Sequence, residues 1–541
     1  MELLDKDLRS IQEVRDLLRK AKKAQQTLAK LNQEQIDKIV KSIADAGYNN
    51  AKKLGILANE ETGFGKPEDK EIKNIFASKV VYESLKDTKT VGIIGEDKEA
   101  KTIDVATPVG VIAALIPSTN PTSTVIYKVM ISIKSQNAVI LSPHPGAKNS
   151  ILETVKILKE AAVMAGCPED AIGVITTPTL QATNELMKNK DTALILATGG
   201  EAMVRAAYSS GTPAIGVGPG NGPSFIDKSA DVKTAVKRII DSKTFDNGVI
   251  CASEQSVIVE RCMENIVVEE LKAQGACILN DEQAEKLSKF IMRDNGTMNP
   301  QIVGKSVEHI CNLAGLHDAN KNAKVLVVRE CRVGKKVPYS REKLTPILTF
   351  YVEESVDAVL EKSKEILLNE GAGHTFSMHA NDDNLVRRFA VEIPASRILV
   401  NTPSALGGIG GSTNLVPALT LGCGAIGKSS TSNNIGPLDL INIKKVAYGV
   451  REIEDLRPNN NCCVSNNDIR FASIPVANTC SSEDIKFTNV DNSFGSVCAN
   501  SDDNRFNNTV PTSNNASNAN EEITEEKVAM LLRQVLAEIK N

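Results

Sequence analysis

One short stretch of this sequence places a potential nucleophile in a setting that would expose it to a substrate. Residues 244–253 read Thr-Phe-Asp-Asn-Gly-Val-Ile-Cys-Ala-Ser, so a glycine-containing turn presents Cys251 just before a strand predicted at 256–259. The backbone N–H groups of such a turn can lower the pKa of a thiol and stabilise an oxyanion. A thiolate there could add to a carbonyl, and the adduct could then lose hydride. The residue types alone are equally compatible with a catalytic cysteine and with a structural thiol buried in the core.

The rhythm of apolar residues predicts the elements that position this turn. Residues 5–85 have mainly helical spacing, and from about residue 109 short apolar runs alternate with helical patterns such as 123–135 and 150–165. Strands that alternate with helices indicate βαβ units and parallel sheets. The sequence therefore predicts two α/β series divided near Asp227, with strands at 109–116, 138–141, 172–176 and 193–197 in the first and at 256–259, 324–328, 347–351 and 396–401 in the second.

The composition argues against several classes of protein. The 541 residues carry a formal net charge of −4 and no tryptophan, and 24% of them are charged, so the basic stripe of a nucleic-acid-binding surface is not expected. No run of 18 apolar residues and no apolar leader occurs, so we expect neither a membrane span nor a signal peptide. Eleven cysteines without a CxxC pair predict no structural metal and fit a reducing cytoplasm.

The chain changes character after about residue 457. Residues 458–520 are rich in Asn, Ser and Asp and poor in Leu, so we predict a disordered linker. Residues 521–541 carry Val and Leu at helical spacing, which predicts an amphipathic helix. Within the linker, a cysteine followed by an Asp-x-basic-Phe tetrapeptide occurs three times, beginning at Cys463, Cys480 and Cys498. These repeats are either a drifted duplication in a neutral linker or short binding elements for a partner surface.

Several motifs in order resemble the aldehyde dehydrogenase superfamily, and specifically its CoA-acylating branch. That branch includes acetaldehyde and propionaldehyde dehydrogenases and the N-terminal half of bifunctional aldehyde–alcohol dehydrogenases. The resemblance covers roughly residues 5–450. Besides the Cys251 turn, it rests on Ile-Pro-Ser-Thr-Asn-Pro-Thr at 116–122, Leu-Ser-Pro-His-Pro at 141–145, Ala-Thr-Gly-Gly at 197–200, Leu-Gly-Cys-Gly at 421–424 and Asn-Ile-Gly-Pro at 434–437.

This resemblance implies an α/β aldehyde dehydrogenase fold with two Rossmann-like lobes and a small oligomerisation hairpin. The regions it implies are, in chain order, an NAD-binding lobe at 1–227 with the hairpin near 91–106, a catalytic lobe at 228–425, a return to the cofactor lobe and oligomerisation region at 426–457, the linker at 458–520 and the terminal helix at 521–541.

The resemblance also implies an oxyanion donor. The family stabilises the oxyanion of the cysteine adduct with an Asn side chain and the cysteine's own N–H. A gapless alignment puts Thr119 at the position of that Asn, with Asn120 next to it. We predict Asn120 as the donor because an amide is the better chemical match, and Thr119 is the alternative. Asn120 before a proline could instead only shape a turn.

Two further residues are assigned by the same resemblance. His374 resembles a residue linked to proton handling in acylating members, whereas a lone histidine is more often structural. Glu342, in Glu-Lys-Leu-Thr-Pro, matches the glutamate that holds the nicotinamide ribose, whereas the alternative is one more surface charge.

A valine lies where hydrolytic members of the family carry a general base. In those members a glutamate about 34 residues before the cysteine activates water, and Val217 lies at that distance here. Without a base at this position, hydrolysis of a Cys251 thioester should be slow. A thiol such as CoA is then the natural acyl acceptor. The sequence therefore favours acyl transfer to CoA over formation of a free acid.

The cofactor site is predicted where strands of the first series end. The glycine-dense run 216–222 leads into the strand-like 224–226, so we interpret it as a close-packed turn and not as a dinucleotide fingerprint. Thr198-Gly199-Gly200 instead opens a helix, whose N-terminal amides can bind the pyrophosphate or nicotinamide end. Neither Arg nor Lys occurs at 142–144 to meet a 2′-phosphate, so NAD is favoured over NADP. By resemblance, the remaining cofactor residues are Pro117, Ser118, Ser142, Pro143 and His144.

Other functions are compatible with these residues. A hydrolytic aldehyde dehydrogenase would form acid without CoA, and an acyl-phosphate reductase related to glutamyl-phosphate reductase shares the fold and a catalytic cysteine. From another class, residues 521–541 resemble the encapsulation peptides of bacterial microcompartment cargo, and would make the chain a shell-binding module. The same helix could form a coiled coil or dock on its own domain.

The expected reaction converts a short-chain aldehyde, acetaldehyde or propionaldehyde, with NAD and CoA into an acyl-CoA. The 541 residues hold no iron-binding alcohol dehydrogenase domain, so bifunctional activity is not expected. We expect a homodimer or homotetramer without a metal, a nucleic-acid partner or a membrane partner. The expected location is the cytoplasm, inside a microcompartment.

Overall fold

A computed structural model describes residues 5–293 and 296–456 of the chain. The predicted linker at 458–520 with its three repeats and the predicted helix at 521–541 lie outside the described residues, so both stay predictions.

The described residues form α-helices and three β-sheets. The helices are α1 (Lys6–Leu28), α2 (Gln33–Asn49), α3 (Ala51–Thr62), α4 (Pro67–Ile75), α5 (Val81–Leu85), α6 (Pro121–Lys134), α7 (Lys148–Met164), α8 (Leu180–Lys188), α9 (Glu201–Tyr208), α10 (Val232–Thr244), α11 (Glu264–Ala273), α12 (Asp281–Ile291), α13 (Val307–Ala314), α14 (Val356–Asn369), α15 (Asp383–Glu392) and α16 (Ser404–Gly408). The strands are β1 (Gly92–Asp97), β2 (Thr102–Pro108), β3 (Val111–Ile116), β4 (Ala138–Pro143), β5 (Ile172–Val174), β6 (Leu194–Thr198), β7 (Ala214–Val217), β8 (Pro223–Ile226), β9 (Ser256–Glu260), β10 (Ala276–Ile278), β11 (Val325–Arg329), β12 (Ile347–Glu353), β13 (Gly373–His379), β14 (Ala395–Val400) and β15 (Ile441–Ala447).

The N-terminal segment is helical, as its spacing predicts. Asp5 caps α1 by accepting the N–H of Leu8 at 2.9 Å. Asn32 and Gln35 form a reciprocal capping box at the start of α2. α4 begins at Pro67, whose missing N–H costs nothing in the first turn of a helix.

The first predicted α/β series forms a five-stranded parallel sheet in the order β5-β4-β3-β6-β7. The strand order reverses between β3 and β6, and in such sheets ligands bind in the crevice beyond the carboxyl ends at that point. The buried Lys128 of α6 lies there, and its Nζ donates to the carbonyl oxygens of Leu115 and Leu196, each at 2.8 Å. One amine thus ties the carboxyl ends of β3 and β6 together.

The second series forms a seven-stranded sheet in the order β10-β11-β12-β9-β8-β13-β14, in which neighbouring strands run parallel. β8 belongs to this sheet, so the chain changes sheets between Val217 and Pro223. The predicted division near Asp227 therefore falls one strand too late. Cys251 precedes β9, near the middle of the sheet.

A third sheet is antiparallel and has the order β1-β2-β15. β1 and β2 form a hairpin over the region predicted at 91–106, and β15 returns from far along the chain to pair with β2. Ile93 and Ile443 on this sheet are at least half exposed. Within the described ranges, no helix is long and apolar enough to cross a membrane.

Candidate active site

The turn before Cys251 has a backbone that few residue types adopt readily. α10 ends at Thr244, and a 3₁₀ turn follows in which Asp246 and Asn247 have φ values of 47° and 53° and Gly248 has a φ of 75°. Asn and Asp tolerate this left-handed region better than most side chains. A Cβ at Gly248 would lie 3.0 Å from the Lys243 carbonyl oxygen. The structure thus confirms the glycine-containing turn predicted before β9.

The thiol that this turn presents is partly buried and rests in its neutral form. Burial raises the pKa of Cys251 to about 12, the Glu342 carboxyl acts in the same direction when it is ionised, and the positive charge of Arg397 opposes both. The Cys251 N–H acts to lower this pKa, as the turn predicts, but the cost of burying a thiolate outweighs its effect.

Asn120 reaches the nucleophile loop, whereas Thr119 contacts Asn120. The Nδ2 of Asn120 donates to the Val249 carbonyl oxygen at 3.4 Å and to the Thr119 Oγ1 at 3.3 Å. Its Oδ1 accepts a hydrogen bond from Lys73. The amide therefore turns its donor end toward the loop that carries Cys251, as an oxyanion donor would require.

His374 is the second residue of β13 and is fully buried close to the Cys251 backbone. A Cβ added at Gly220 would lie 2.0 Å from the Cys251 carbonyl oxygen and 3.2 Å from the His374 Cε1. Burial, with a smaller effect from Arg397, lowers the pKa of His374 to about 3. The imidazole is therefore neutral at physiological pH.

The hydrogen bonds around His374 assign its tautomer. The Thr375 Oγ1 lies 2.9 Å from the His374 Nδ1 and accepts from the Arg397 Nε at 3.4 Å. A buried hydroxyl needs an acceptor for its proton, and among the described residues the Nδ1 is the acceptor that Thr375 contacts. The ring proton is then on Nε2, which has no hydrogen-bond partner among the described residues. His374 thus presents a free N–H donor.

Arg397, which sequence analysis missed, supplies a fixed positive charge. It is 3% exposed and donates to the Gly422 carbonyl oxygen at 2.7 Å and to the Asn434 Oδ1 at 3.3 Å. Its charge favours the thiolate forms of both Cys251 and Cys423. Its position in β14 gave no sequence signal beyond a charged residue within an otherwise apolar run.

Glu342 is partly buried and hydrogen-bonded to the loop that packs against Cys251, so it is more than a free surface charge. Burial and the neighbouring charge of Glu370 raise the pKa of Glu342 to about 8. Its Oε1 accepts the N–H of Gly220 at 2.9 Å, and its own N–H donates to the Glu370 Oε2 at 2.7 Å. The surface alternative is therefore wrong, while the ribose-binding role stays a prediction.

The predicted cofactor residues other than Glu342 lie at the carboxyl edge of the five-stranded sheet. Each follows or ends one of three neighbouring strands, β3, β4 or β6. The Ser142 hydroxyl is 3.0 Å from the Thr183 Oγ1, and the His144 Nδ1 accepts the N–H of Gly146. Gly200 is the N-cap of α9 and makes no side-chain cap, which leaves the first N–H groups of that helix available. The residues placed at this edge are Pro117, Ser118, Ser142, Pro143, His144, Thr198, Gly199 and Gly200.

Val217 ends β7 beside Thr198 and is 4% exposed. The following turn carries Gly220, whose missing side chain lets the backbone pack against the Cys251 carbonyl. This segment therefore presents a buried aliphatic side chain and close backbone packing where the resemblance to hydrolytic members would place a carboxylate.

Alkylation of Cys251 by iodoacetamide tests the resting state of the thiol. Its rate should rise about tenfold per pH unit from about pH 7 to about pH 9.5 without levelling off, because the thiolate fraction keeps growing below a pKa of about 12. Mass spectrometry of the Cys251 peptide measures the rate, and the exposed Cys262 provides an internal control. A plateau at or below about pH 8 would show that Cys251 is already activated without ligands.

The sequence profile of the aldehyde dehydrogenase family matches residues 7–336 of this chain. The bifunctional aldehyde–alcohol dehydrogenase of Escherichia coli K12 is 44% identical over 443 residues, which are 81% of this chain and 50% of that protein. The chain thus spans about half the length of the bifunctional relatives that it matches. The acetylating succinate-semialdehyde dehydrogenase of Clostridium kluyveri is 38% identical over 440 residues, which are 81% of this chain and 96% of that enzyme.

Solved structures of aldehyde dehydrogenases are also similar to this chain. A probable aldehyde dehydrogenase from Listeria monocytogenes EGD-e is 62% identical, with a TM-score of 0.83 and coverage of 84% of this chain and 100% of that one. An acetylating aldehyde dehydrogenase from Geobacillus thermoglucosidasius is 51% identical, with a TM-score of 0.82 and coverage of 83% of this chain and 99% of that one.

Two propionaldehyde dehydrogenases are more distant. The enzyme from the fucose-utilisation microcompartment of Clostridium phytofermentans is 26% identical, with a TM-score of 0.73 and coverage of 81% and 97%. The enzyme from Rhodopseudomonas palustris, with bound CoA and an acylated cysteine, is 25% identical, with a TM-score of 0.72 and coverage of 80% and 97%. The chain belongs to the aldehyde dehydrogenase family, and its relatives include acetylating enzymes.

Proposed function

We propose that this protein oxidises a short-chain aldehyde to its acyl-CoA, with NAD as hydride acceptor and Cys251 as the covalent nucleophile. The observation that carries the proposal is the combination of a Cys251 turn facing the Asn120 amide with a buried valine at the position of the hydrolytic base. The acetylating relatives and the acylated, CoA-bound neighbour support it.

In this mechanism the Cys251 sulfur bonds to the aldehyde carbon, and the proton that the thiol loses ends on the former carbonyl oxygen, which gives a thiohemiacetal. The developing oxyanion accepts hydrogen bonds from the Asn120 Nδ2 and from the Cys251 N–H, which stabilise it most in the transition state. His374 donates from its free Nε2 to an oxygen or sulfur atom of the reacting group. Arg397 favours negative charge on the Cys251 sulfur.

The residues at the carboxyl edge of the five-stranded sheet fit a dinucleotide. The free N–H groups at the start of α9 suit a phosphate or the nicotinamide amide, and Glu342 can accept hydrogen bonds from ribose hydroxyls, most strongly when it is ionised. When bound, the nicotinamide supplies the acceptor for the hydride that leaves the thiohemiacetal. The absence of Lys and Arg at 142–144 favours NAD over NADP.

After hydride loss, Cys251 carries a thioester. Hydrolysis requires a base that activates water, and Val217 lacks that function. The thioester therefore persists until the thiol of CoA attacks it and releases acyl-CoA. This step distinguishes the proposal from a hydrolytic dehydrogenase.

A rapid-mixing experiment without CoA tests this order of events. Acetaldehyde or propionaldehyde should yield a burst of about one NADH per Cys251 and then stop, because the thioester blocks the nucleophile. Addition of CoA should restart turnover. Cys251→Ser is the control and should lose activity by on the order of 10³-fold or more. Continued NADH formation together with free acid in the absence of CoA would refute acyl transfer.

NAD affinity should depend on the ionisation of Glu342. Its pKa is raised to about 8 in the ligand-free site, so the carboxyl is mostly protonated at pH 6. The ionised carboxylate accepts hydrogen bonds from ribose hydroxyls more strongly than the protonated acid does. The Kd for NAD should therefore rise by about tenfold or more when the pH falls from about 8 to about 6. Glu342→Gln should bind NAD more weakly at about pH 8 and show no such dependence. A variant with the wild-type pH profile would remove Glu342 from the cofactor site.

We propose further that copies of the chain associate through the antiparallel β1-β2-β15 sheet as a homodimer or homotetramer. β15 is an edge strand, and exposed Ile443 and Val446 lie along it.

Residues 521–541 would bind the shell or other cargo of a microcompartment, and the neighbour from a fucose-utilisation microcompartment supports that location.

Fusing residues 521–541 to a fluorescent reporter tests the targeting role. The reporter should colocalise with microcompartment shells assembled in the same cell, because an amphipathic helix can dock its apolar face in a groove. A fusion with the same composition in scrambled order should stay diffuse. If the native fusion is also diffuse beside assembled shells, the segment is not an encapsulation peptide.

A further inference from the structure

Two buried lysines of α4 hold an aspartate of the nucleophile turn. Lys70 and Lys73 are each 2% exposed, and Asp246 is fully buried. The Lys70 Nζ lies 3.1 Å from the Asp246 Oδ2, and Lys73 donates to the same oxygen. The Asp246 Oδ1 accepts the N–H of Lys66 at 2.6 Å. The carboxylate five residues before Cys251 is thus bound by two side chains of α4 and by the backbone of its N-cap residue.

The same two lysines also contact the loop that carries the predicted oxyanion donor. Lys73 donates to the Asn120 Oδ1, and Lys70 donates to the Thr119 carbonyl oxygen at 3.2 Å. Two segments that are far apart in sequence, the nucleophile turn and the loop before α6, are therefore linked through the amines of α4.

The contact from Lys73 decides which way the Asn120 amide points. A carboxamide has an acceptor end and a donor end, and an ammonium group can bind only the acceptor. With Oδ1 held by Lys73, Nδ2 must point toward Val249 and the Cys251 loop, where it donates at 3.4 Å. A rotated amide would bring its N–H₂ group against the ammonium, which is repulsive.

A second carboxylate contacts the same turn. Asp69 accepts the Asp246 N–H at 2.7 Å, and its Oδ2 lies 3.8 Å from the Lys66 Nζ. The turn is therefore held by the backbone N–H of Asp246 as well as by its side chain.

We propose that Lys73 is a positioning residue for the oxidation step, which orients the Asn120 amide toward Cys251 while Asp246 holds both lysines in place. This inference rests on the proposed function, because it assigns Lys73 to the same oxyanion. Gly65 belongs to the arrangement, since a Cβ there would lie 1.7 Å from the Asp246 Oδ1.

A double-mutant cycle on the full-length protein tests the proposal, with the rate of the NADH burst as readout. Asn120→Ala should slow the burst by about 100-fold, the usual cost of losing one oxyanion donor. Lys73→Met should slow it by about 10- to 100-fold and leave the KM for NAD unchanged, because the amide loses its orientation. In the Asn120→Ala background, Lys73→Met should change the rate by less than about threefold, because its effect passes through Asn120.

Lys70→Met is the matched control, because it removes an equally buried amine that contacts the Thr119 backbone but not the Asn120 side chain. Its burst rate should stay within about threefold of wild type. Both methionine variants keep one lysine opposite Asp246, so each leaves a neutral pair. Lys73→Gln, whose amide can still donate to Oδ1, should recover about tenfold of the rate lost in Lys73→Met.

The outcomes separate this proposal from the proposed function. Equal losses in Lys70→Met and Lys73→Met, or multiplicative losses in the double variant, would mean that the cluster supports the fold without orienting Asn120. An unchanged rate in Asn120→Ala would also overturn the positioning role. In either case CoA-dependent turnover by the wild type would leave the proposed function standing, and loss of that turnover would overturn the function itself.

Discussion

The interaction on which the site depends is the contact between the Asp246 carboxylate and the two buried lysines of α4. A left-handed backbone at Asp246 and Asn247 is unfavourable for side-chain-bearing residues, so the turn needs compensating contacts. The lysines supply them, since each donates to Asp246 Oδ2. Burial opposes ionisation of this carboxyl, but the charges of Lys73 and Lys70 outweigh it and hold the pKa of Asp246 below its usual range. Replacing Asp246 alone would leave two buried lysines without their shared carboxylate, which makes Asp246 the partner that is hardest to change.

Around this fixed turn, the remaining groups are neutral in the absence of ligands. Burial raises the pKa of the Cys251 thiol and of the Glu342 carboxyl and lowers the pKa of His374. Arg397 is the exception, because a guanidinium stays charged even when buried. Negative charge that appears on the substrate would therefore meet fixed donors and cations rather than competing anions, which is the preorganised arrangement that stabilises a transition state.

Much of this architecture can be predicted from the sequence, because the spacing of apolar residues and the residue types of turns are local properties of the chain. The alternation of short apolar runs with helical patterns predicted most strands of the two parallel sheets, but not β7, β10 or β13. Asn247-Gly248 marked the turn before Cys251. The cofactor residues could be grouped in advance because they end neighbouring parallel strands. The division near Asp227 was misplaced because β8 is only four residues long, and no local signal distinguishes the sheet that it joins.

The lysines and Arg397 could not be found in this way. In Pro-Glu-Asp-Lys-Glu-Ile-Lys-Asn-Ile, the sequence of α4, charges at most positions look like a solvated helix face. Their burial follows only from the docking of α4 against a turn more than 170 residues away. The pKa of Cys251 escaped prediction for the same reason, because burial is a property of the assembled site and not of the turn.

The segment from Val217 to Gly222 lacks the general base of hydrolytic members and instead packs its backbone against the nucleophile loop. The resemblance to hydrolytic members implies a glutamate at Val217, and here the side chain is aliphatic and buried. Gly220, three residues on, packs its backbone against the Cys251 carbonyl and gives its N–H to Glu342. A side chain at this position would collide with the Cys251 carbonyl oxygen, so the segment packs closely against the nucleophile loop. In the proposed reaction it offers a Cys251 thioester no base that could activate water. Lacking a base, such a thioester has to wait for a better nucleophile than water, and a thiol meets that requirement because its conjugate base is both accessible near neutral pH and strongly nucleophilic.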